Sequence, residues 1–103
     1  MRITTTEQDK KLQELGIVEE ELSLEDMLEM LPKDENVDWS LSFGLFNTET
    51  GEHIDEYCMS IEVYDEDYEN STFEDITGVD MFDVVFRTVC WFAERDLLED
   101  ELY

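Results

Sequence analysis

The chain has 103 residues and a formal net charge of -24, from 30 Asp and Glu against 6 Lys and Arg. That charge repels phosphate and argues against direct nucleic-acid binding. The 42% hydrophobic and 12% aromatic content argues against an acidic disordered chain, which lacks the apolar area to offset its ordering entropy. One domain over residues 1–103 is expected, with disorder confined to the first few residues and the last three.

Thr5 or Thr6 can cap a helix over Glu7 to Leu15, which Gly16 ends. In "SLEDMLEMLP", Ser23 and Asp26 form a capping box with Asp in place of Glu or Gln. Leu24, Met27, Leu28 and Leu31 share one helical face, and Pro32 stops the helix. "DWSLSFGLF" then alternates, with Trp39, Leu41, Phe43 and Leu45 against Ser40, Ser42 and Gly44. "YCMSIEVY" does the same, with Tyr57, Met59, Ile61 and Val63 against Cys58, Ser60 and Glu62. These are the arms of a hairpin over 38–64 with one buried face. "NTETGEHIDE" connects them, and Gly51 supplies the positive φ of the turn.

Asp65 to Val79 reads as a loop with a short third strand around Phe73 to Thr77. Asp80 caps a last helix, Met81 to Leu98. Phe82, Val85, Phe86, Val89, Cys90, Phe92, Ala93 and Leu97 form its broad apolar face. Val84, Trp91 and Leu98 line up on the opposite side, bordered by Arg87 and Arg95. That stripe is a candidate homodimer or partner contact unless the first helices fold back and bury it within one chain. The fold class is α+β: a small antiparallel sheet of two or three strands packed on a C-terminal helix, with one or two short N-terminal helices.

The charge is uneven. Residues 1–33 hold 9 acids and 4 bases; residues 34–103 hold 21 acids against Arg87 and Arg95 alone. "EVYDEDYEN", Glu62 to Asn70, puts five carboxylates beside two tyrosines with no Lys or Arg. Asp65, Glu66, Asp67, Tyr68, Glu69, Glu74 and Asp75 are the expected partner-facing surface. Glu49, Glu52, Asp55 and Glu56 of the hairpin loop support them. A domain of this length is about 33 Å across, and B-DNA of that length presents about 20 charges. The match points to a competitor for a basic nucleic-acid-binding groove. An acidic immunity or chaperone-like protein for another basic partner would use the same physics. Salt adaptation is the blander reading, against which stand the large aromatics and the concentration of charge in one part of the chain.

Catalytic and metal readings do poorly. Asp65, Asp67 and Glu69 alternate like the first ligands of an EF-hand loop. However, Asn70 stands where Gly is required, and Ile76 where the bidentate Glu belongs. His53 is the sole histidine and falls in or near the hairpin turn. The sequence carries no Cys–His zinc cluster, no GxSxG and no glycine-rich phosphate loop. The expectation is a non-enzyme with neither cofactor nor metal. Cys58 and Cys90 fit buried free thiols in a reducing bacterial cytoplasm, the alternative being a Cys58–Cys90 disulfide. No apolar signal region or membrane span is expected.

"SLEDMLEMLPK", the two-stranded unit, the acidic linker and "DVVFRTVCWFAERDLL" together resemble, over residues 23 to 98, small phage and prophage proteins. Those carry a short helix ending in Leu-Pro, two or three strands and a last helix with a Trp-containing end. The resemblance implies a mobile-element origin, where small acidic proteins often inhibit host defence enzymes. Cas effectors and restriction enzymes are the foremost targets expected, and DNA-repair glycosylases and nucleoid proteins present basic grooves of suitable size too.

Overall fold

The computed structural model describes residues 1–65 and 67–98. Its elements run α1 (Thr6–Glu14), α2 (Leu24–Met30), β1 (Val37–Phe46), β2 (His53–Tyr64), β3 (Ser71–Gly78) and α3 (Met81–Glu94). This is an α+β chain: two short N-terminal helices, a three-stranded antiparallel sheet in the order β1-β2-β3, and a C-terminal helix. Packing divides it into two compact units. One combines Met1–Pro32 with the stretch beginning at Val85, and the other is Lys33–Val84.

In the helical unit, α1 starts at Thr5, whose hydroxyl accepts the Gln8 N–H while the Gln8 side chain takes the Thr5 N–H. It stops where Gly16 turns to φ 91. There the Gly16 and Ile17 N–H groups bond back to the Gln13 and Leu12 carbonyls, a Schellman closure flanked by the buried Leu12 and Ile17. α2 repeats the start with Ser23 and Asp26. The shorter aspartate still reaches the Ser23 N–H at 2.9 Å. The hydrogen bonds from the Ser23 backbone and hydroxyl lower the pKa of Asp26. Leu31 is extended, as a residue before proline must be.

The first residues, expected to be disordered, are tied down, and the last three, of which the same was expected, lie outside the described residues. Ile3 bridges to Ser23, and the Thr4 N–H donates to the Leu22 carbonyl at 2.9 Å. Thr4 and Asp9 are both buried. The Thr4 hydroxyl donates to Asp9 Oδ1 and accepts the Leu22 N–H. Asp9 Oδ2 takes the N–H of Glu21, 3.3 Å away, which holds that residue at φ 53. Its bonds join Asp9 to Glu21, 12 residues apart, and Thr4 to Leu22, 18 apart, so no local pattern announces it.

α3 begins as expected, with Asp80 Oδ1 accepting the Phe82 N–H at 3.0 Å. It ends at Glu94 rather than Leu98. Asp96 sits at φ 54, and the Asp96 and Leu97 N–H groups return to Ala93 and Phe92. This is the closure seen at Gly16, with an aspartate in the left-handed position. Within α3 only Arg87 and Glu94 are exposed, so it has no broad wet face and behaves as a helix apolar on all sides. Val84 and Trp91 are already buried in the single chain, and Leu98 is half-buried. Arg95 lies 4.0 Å over the Trp91 ring and donates to the Trp91 carbonyl. Both cysteines are free and buried.

In the Lys33–Val84 unit, β2 is the central strand. The register sets Trp39 opposite Ile61, Leu41 opposite Met59, and Met59 opposite Ile76. Val37, Met59, Ile61 and Ile76 are buried on this face. The hairpin arms are longer than expected, leaving only residues 47–52 as the connection. Asp55 and Glu56 therefore lie in β2 rather than in the loop. They stand together opposite Gly44, where the register slips. Gly44 has φ 88, and a Cβ there would come within 3.1 Å of His53 Nε2, so this bulge requires glycine. The third strand is also longer than the expected Phe73 to Thr77.

Asp9→Ala should destabilise the chain by about 1–3 kcal/mol, because it strands the buried Thr4 hydroxyl and Glu21 N–H. Asp9→Asn, with one acceptor oxygen instead of two, should fall between the variant and the parent in urea unfolding. Equal midpoints for all three proteins would show that the latch contributes nothing.

Candidate acidic interface

Lys33–Val84 carries 16 Asp and Glu and a single Lys; from Asp34 to Phe86 there is no Lys or Arg. Glu49, Glu52, Asp55, Asp65, Asp67, Tyr68, Glu69, Glu74 and Asp75 are all exposed, and Glu56 is half-buried. Glu66 lies outside the described residues.

The fold does not gather these acids into one cluster. β2 has 12 residues, a span of roughly 35 Å at the usual rise. Glu49 and Glu52 sit in the loop at one of its ends, and Asp65, Asp67 and Glu69 in the loop at the other. Glu74 and Asp75 lie between, on β3. They are strung along the length of the sheet but on both of its faces: Glu74, opposite Ile61, shares the face of Met59, and Asp75, opposite Ser60, lies on the other.

Each loop is shaped by one side-chain carbonyl or carboxylate. Asn47 Oδ1 accepts the Glu49 and Thr50 N–H groups at 2.9 and 3.3 Å. Gly51, at φ 74, closes the turn by donating to the Asn47 carbonyl. At the opposite end, Asp65 Oδ1 accepts the Asp67 and Glu69 N–H groups, both at 3.1 Å, and Oδ2 accepts the Asn70 amide at 3.2 Å. Desolvation pushes the Asp65 pKa up, but these bonds outweigh it and the net shift is downward. Asp65 is therefore an organiser of the loop more than a contact residue. It leaves Asp67, Tyr68 and Glu69 presented outward, with Tyr68 at φ 57 and its ring 5.9 Å from that of Tyr64.

A second feature lies on the sheet face opposite Met59 and Ile61. The register aligns Asp38, Glu62 and Phe73 in one row across all three strands, and Ser40, Ser60 and Asp75 in the next. Asp38, Ser40, Ser60 and Asp75 are exposed, and Phe73 keeps 72% of its surface in water. These rows border a shallow groove of about 230 Å³ whose lining includes Asp38, Ser40, Ser60, Glu62 and Phe73. The Tyr64 hydroxyl donates to Glu62 Oε1 at 2.7 Å. That bond, then desolvation and the charges of Glu62 and Asp38, raise the Tyr64 pKa. The alternation marked Ser40, Ser42, Ser60 and Glu62 as the wet face. Placing Phe73 beside Glu62 needed the β2–β3 register, which no local signal encodes.

Burial pushes the Cys90 thiol up to about 11, with Lys11 lowering and Glu94 raising it, so at neutral pH it is a thiol rather than a thiolate. His53 is exposed and pairs with Asp55 at 3.1 Å. Among the described residues, no group of three or more His, Cys, Asp or Glu could hold a metal ion, and no helix is long and apolar enough to cross a membrane. No known protein family, curated protein or solved structure matches the chain.

The lowered Asp65 pKa fixes a pH dependence. A depressed carboxyl pKa contributes order above its unfolded value of 3.8 and loses it as pH falls through the folded value. The amide shifts of Asp67 and Glu69 should hold from pH 7 down to about 4 and collapse below that. Asp65→Ala should show the collapsed shifts at every pH. Parent-like shifts in that variant would remove Asp65 from the loop's architecture.

Proposed function

We propose that the chain is a non-catalytic acidic inhibitor that imitates nucleic-acid charge. It would block the basic DNA- or RNA-binding groove of a defence nuclease, a Cas effector or a restriction enzyme, in the bacterial cytoplasm. The supporting observation is the run of acids on Lys33–Val84: in the loops at both ends of β2 and on both faces of β3, with no Lys or Arg from Asp34 to Phe86. A length of roughly 35 Å is about one turn of duplex and presents about 20 phosphate charges. The unit's 16 acids, spread over both sheet faces and the loops, are fewer than that but of the same order. Carboxylates placed so would pair with the Lys and Arg that otherwise hold phosphate.

A second reading, an acidic immunity or chaperone-like partner of a basic protein, draws on the groove beside Phe73. An exposed aromatic ring among carboxylates has no counterpart on a phosphate backbone and suits protein recognition equally well.

Competition separates them. With the nuclease held on labelled duplex, added chain should displace the DNA. Its inhibition should weaken by at least about tenfold between 50 and 200 mM salt, because the contacts are screened ion pairs. The pure chain should not shift duplex or single-stranded DNA in a gel. A shift by the chain alone, or inhibition without DNA displacement, would refute groove mimicry.

A further inference from the structure

We propose that the open face of the sheet is a receptor for a single arginine side chain of the basic partner protein, gripped between the Phe73 ring and the paired carboxylates of Asp38 and Glu62. The inference rests on the reading of the chain as a binder of basic proteins and adds the residue type it selects.

Asp38 and Glu62 are directly opposed on β1 and β2. Like charges in that relation cost stability, and no Lys or Arg occurs between Asp34 and Phe86 to sit beside them in the sequence. A cation brought by a partner would relieve the repulsion. Phe73 follows Glu62 in the same row, on β3, and is largely exposed. A groove of about 230 Å³ is smaller than the roughly 300–1,000 Å³ of small-molecule sites, so it suits one side chain rather than a cofactor.

The chemistry selects arginine over lysine. A guanidinium is a planar fork that meets carboxylates through several N–H groups and stacks on an aromatic face, whereas an ammonium is a compact, strongly hydrated point charge. Ser40 and Ser60, small and exposed in the adjacent row, leave the floor of the groove accessible and add hydroxyls for the remaining guanidinium N–H groups. Glu62 lines the groove, and the Tyr64 hydroxyl bonded to its Oε1 restrains that carboxylate. Cation–π attraction of the kind Phe73 offers operates within about 6 Å of the ring centroid.

The probe is a pair of octapeptides of equal charge, one with arginines and one with lysines at the same positions, titrated into the full chain by calorimetry and amide NMR. The arginine peptide should bind about three- to fivefold more tightly and shift the amides of Ser40, Ser60 and Phe73. Phe73→Ala, at an exposed site and with circular dichroism confirming the fold, should abolish the preference while leaving the lysine peptide's affinity in place. Phe46→Ala, another exposed aromatic of this unit, should retain the preference. Equal affinities, shifts confined to residues 47–52 and 65–70, or a preference that survives Phe73→Ala would each overturn the proposal. Arginine preference without nuclease inhibition would remove the function proposed above and keep the groove. DNA displacement without arginine preference would do the reverse.

Discussion

Repulsion among carboxylates that have no nearby Lys or Arg in sequence is the constraint to which the Lys33–Val84 unit answers. Folded domains have margins of only about 5–15 kcal/mol, and self-repulsion draws on that margin. Hydrophobic burial opposes it on one face of the sheet, through Val37, Met59, Ile61 and Ile76. In the loops and on both sheet faces, the acids are spread over a length of about 35 Å, with Glu74 on the face of Ile61 and Asp75 on the other, which limits how many like charges meet. Where Asp38 and Glu62 do meet, the arrangement costs stability and calls for a separate reason to persist. The proposed reason is a cationic partner.

Several acids are also put to structural use, and these differ in kind from the exposed ones. Asp9, Asp26, Asp65 and Asp80 each accept backbone N–H groups at helix starts or tight loops. A carboxylate is well suited there, because it brings two acceptor oxygens to donors that regular secondary structure leaves over. Glu49, Glu52, Asp67, Glu69, Glu74 and Asp75 are instead exposed. Asp65 joins the two groups: its hydrogen bonds shape the loop that holds Asp67 and Glu69 outward.

Much of the fold was legible because its signals are local. The capping residues Thr5, Ser23 and Asp80, the stops at Gly16 and Pro32, and the period-two alternation of the hairpin arms all act within a few residues. What escaped the sequence depends on distant or ambiguous partners. The Thr4–Asp9–Glu21 latch joins positions far apart. The bulge at Gly44 appears only when β1 is laid against β2, and Asp96 ends α3 in a role for which glycine is the usual signal. The apolar stripe of Val84, Trp91 and Leu98 on α3 was visible in the helical periodicity, but periodicity does not say whether a partner or the chain itself covers it. The identities of the acidic residues were likewise plain, but their arrangement was not. Glu49 and Asp67 flank the same strand, and the length of β2 sets them at its opposite ends. The row of Asp38, Glu62 and Phe73 required the pairing of three strands.

The central claim is that surface charge is held at a cost to the fold because a cationic partner uses it. One protein tests both halves at once: Glu49→Gln, Glu52→Gln, Asp67→Asn, Glu69→Gln, Glu74→Gln and Asp75→Asn combined, with Asp65 kept so that its loop survives. Thermal unfolding and nuclease inhibition should be measured on the same sample at low salt. The account predicts a higher Tm than the parent and inhibition weakened by more than about tenfold. An unchanged or lower Tm together with full inhibition would contradict it.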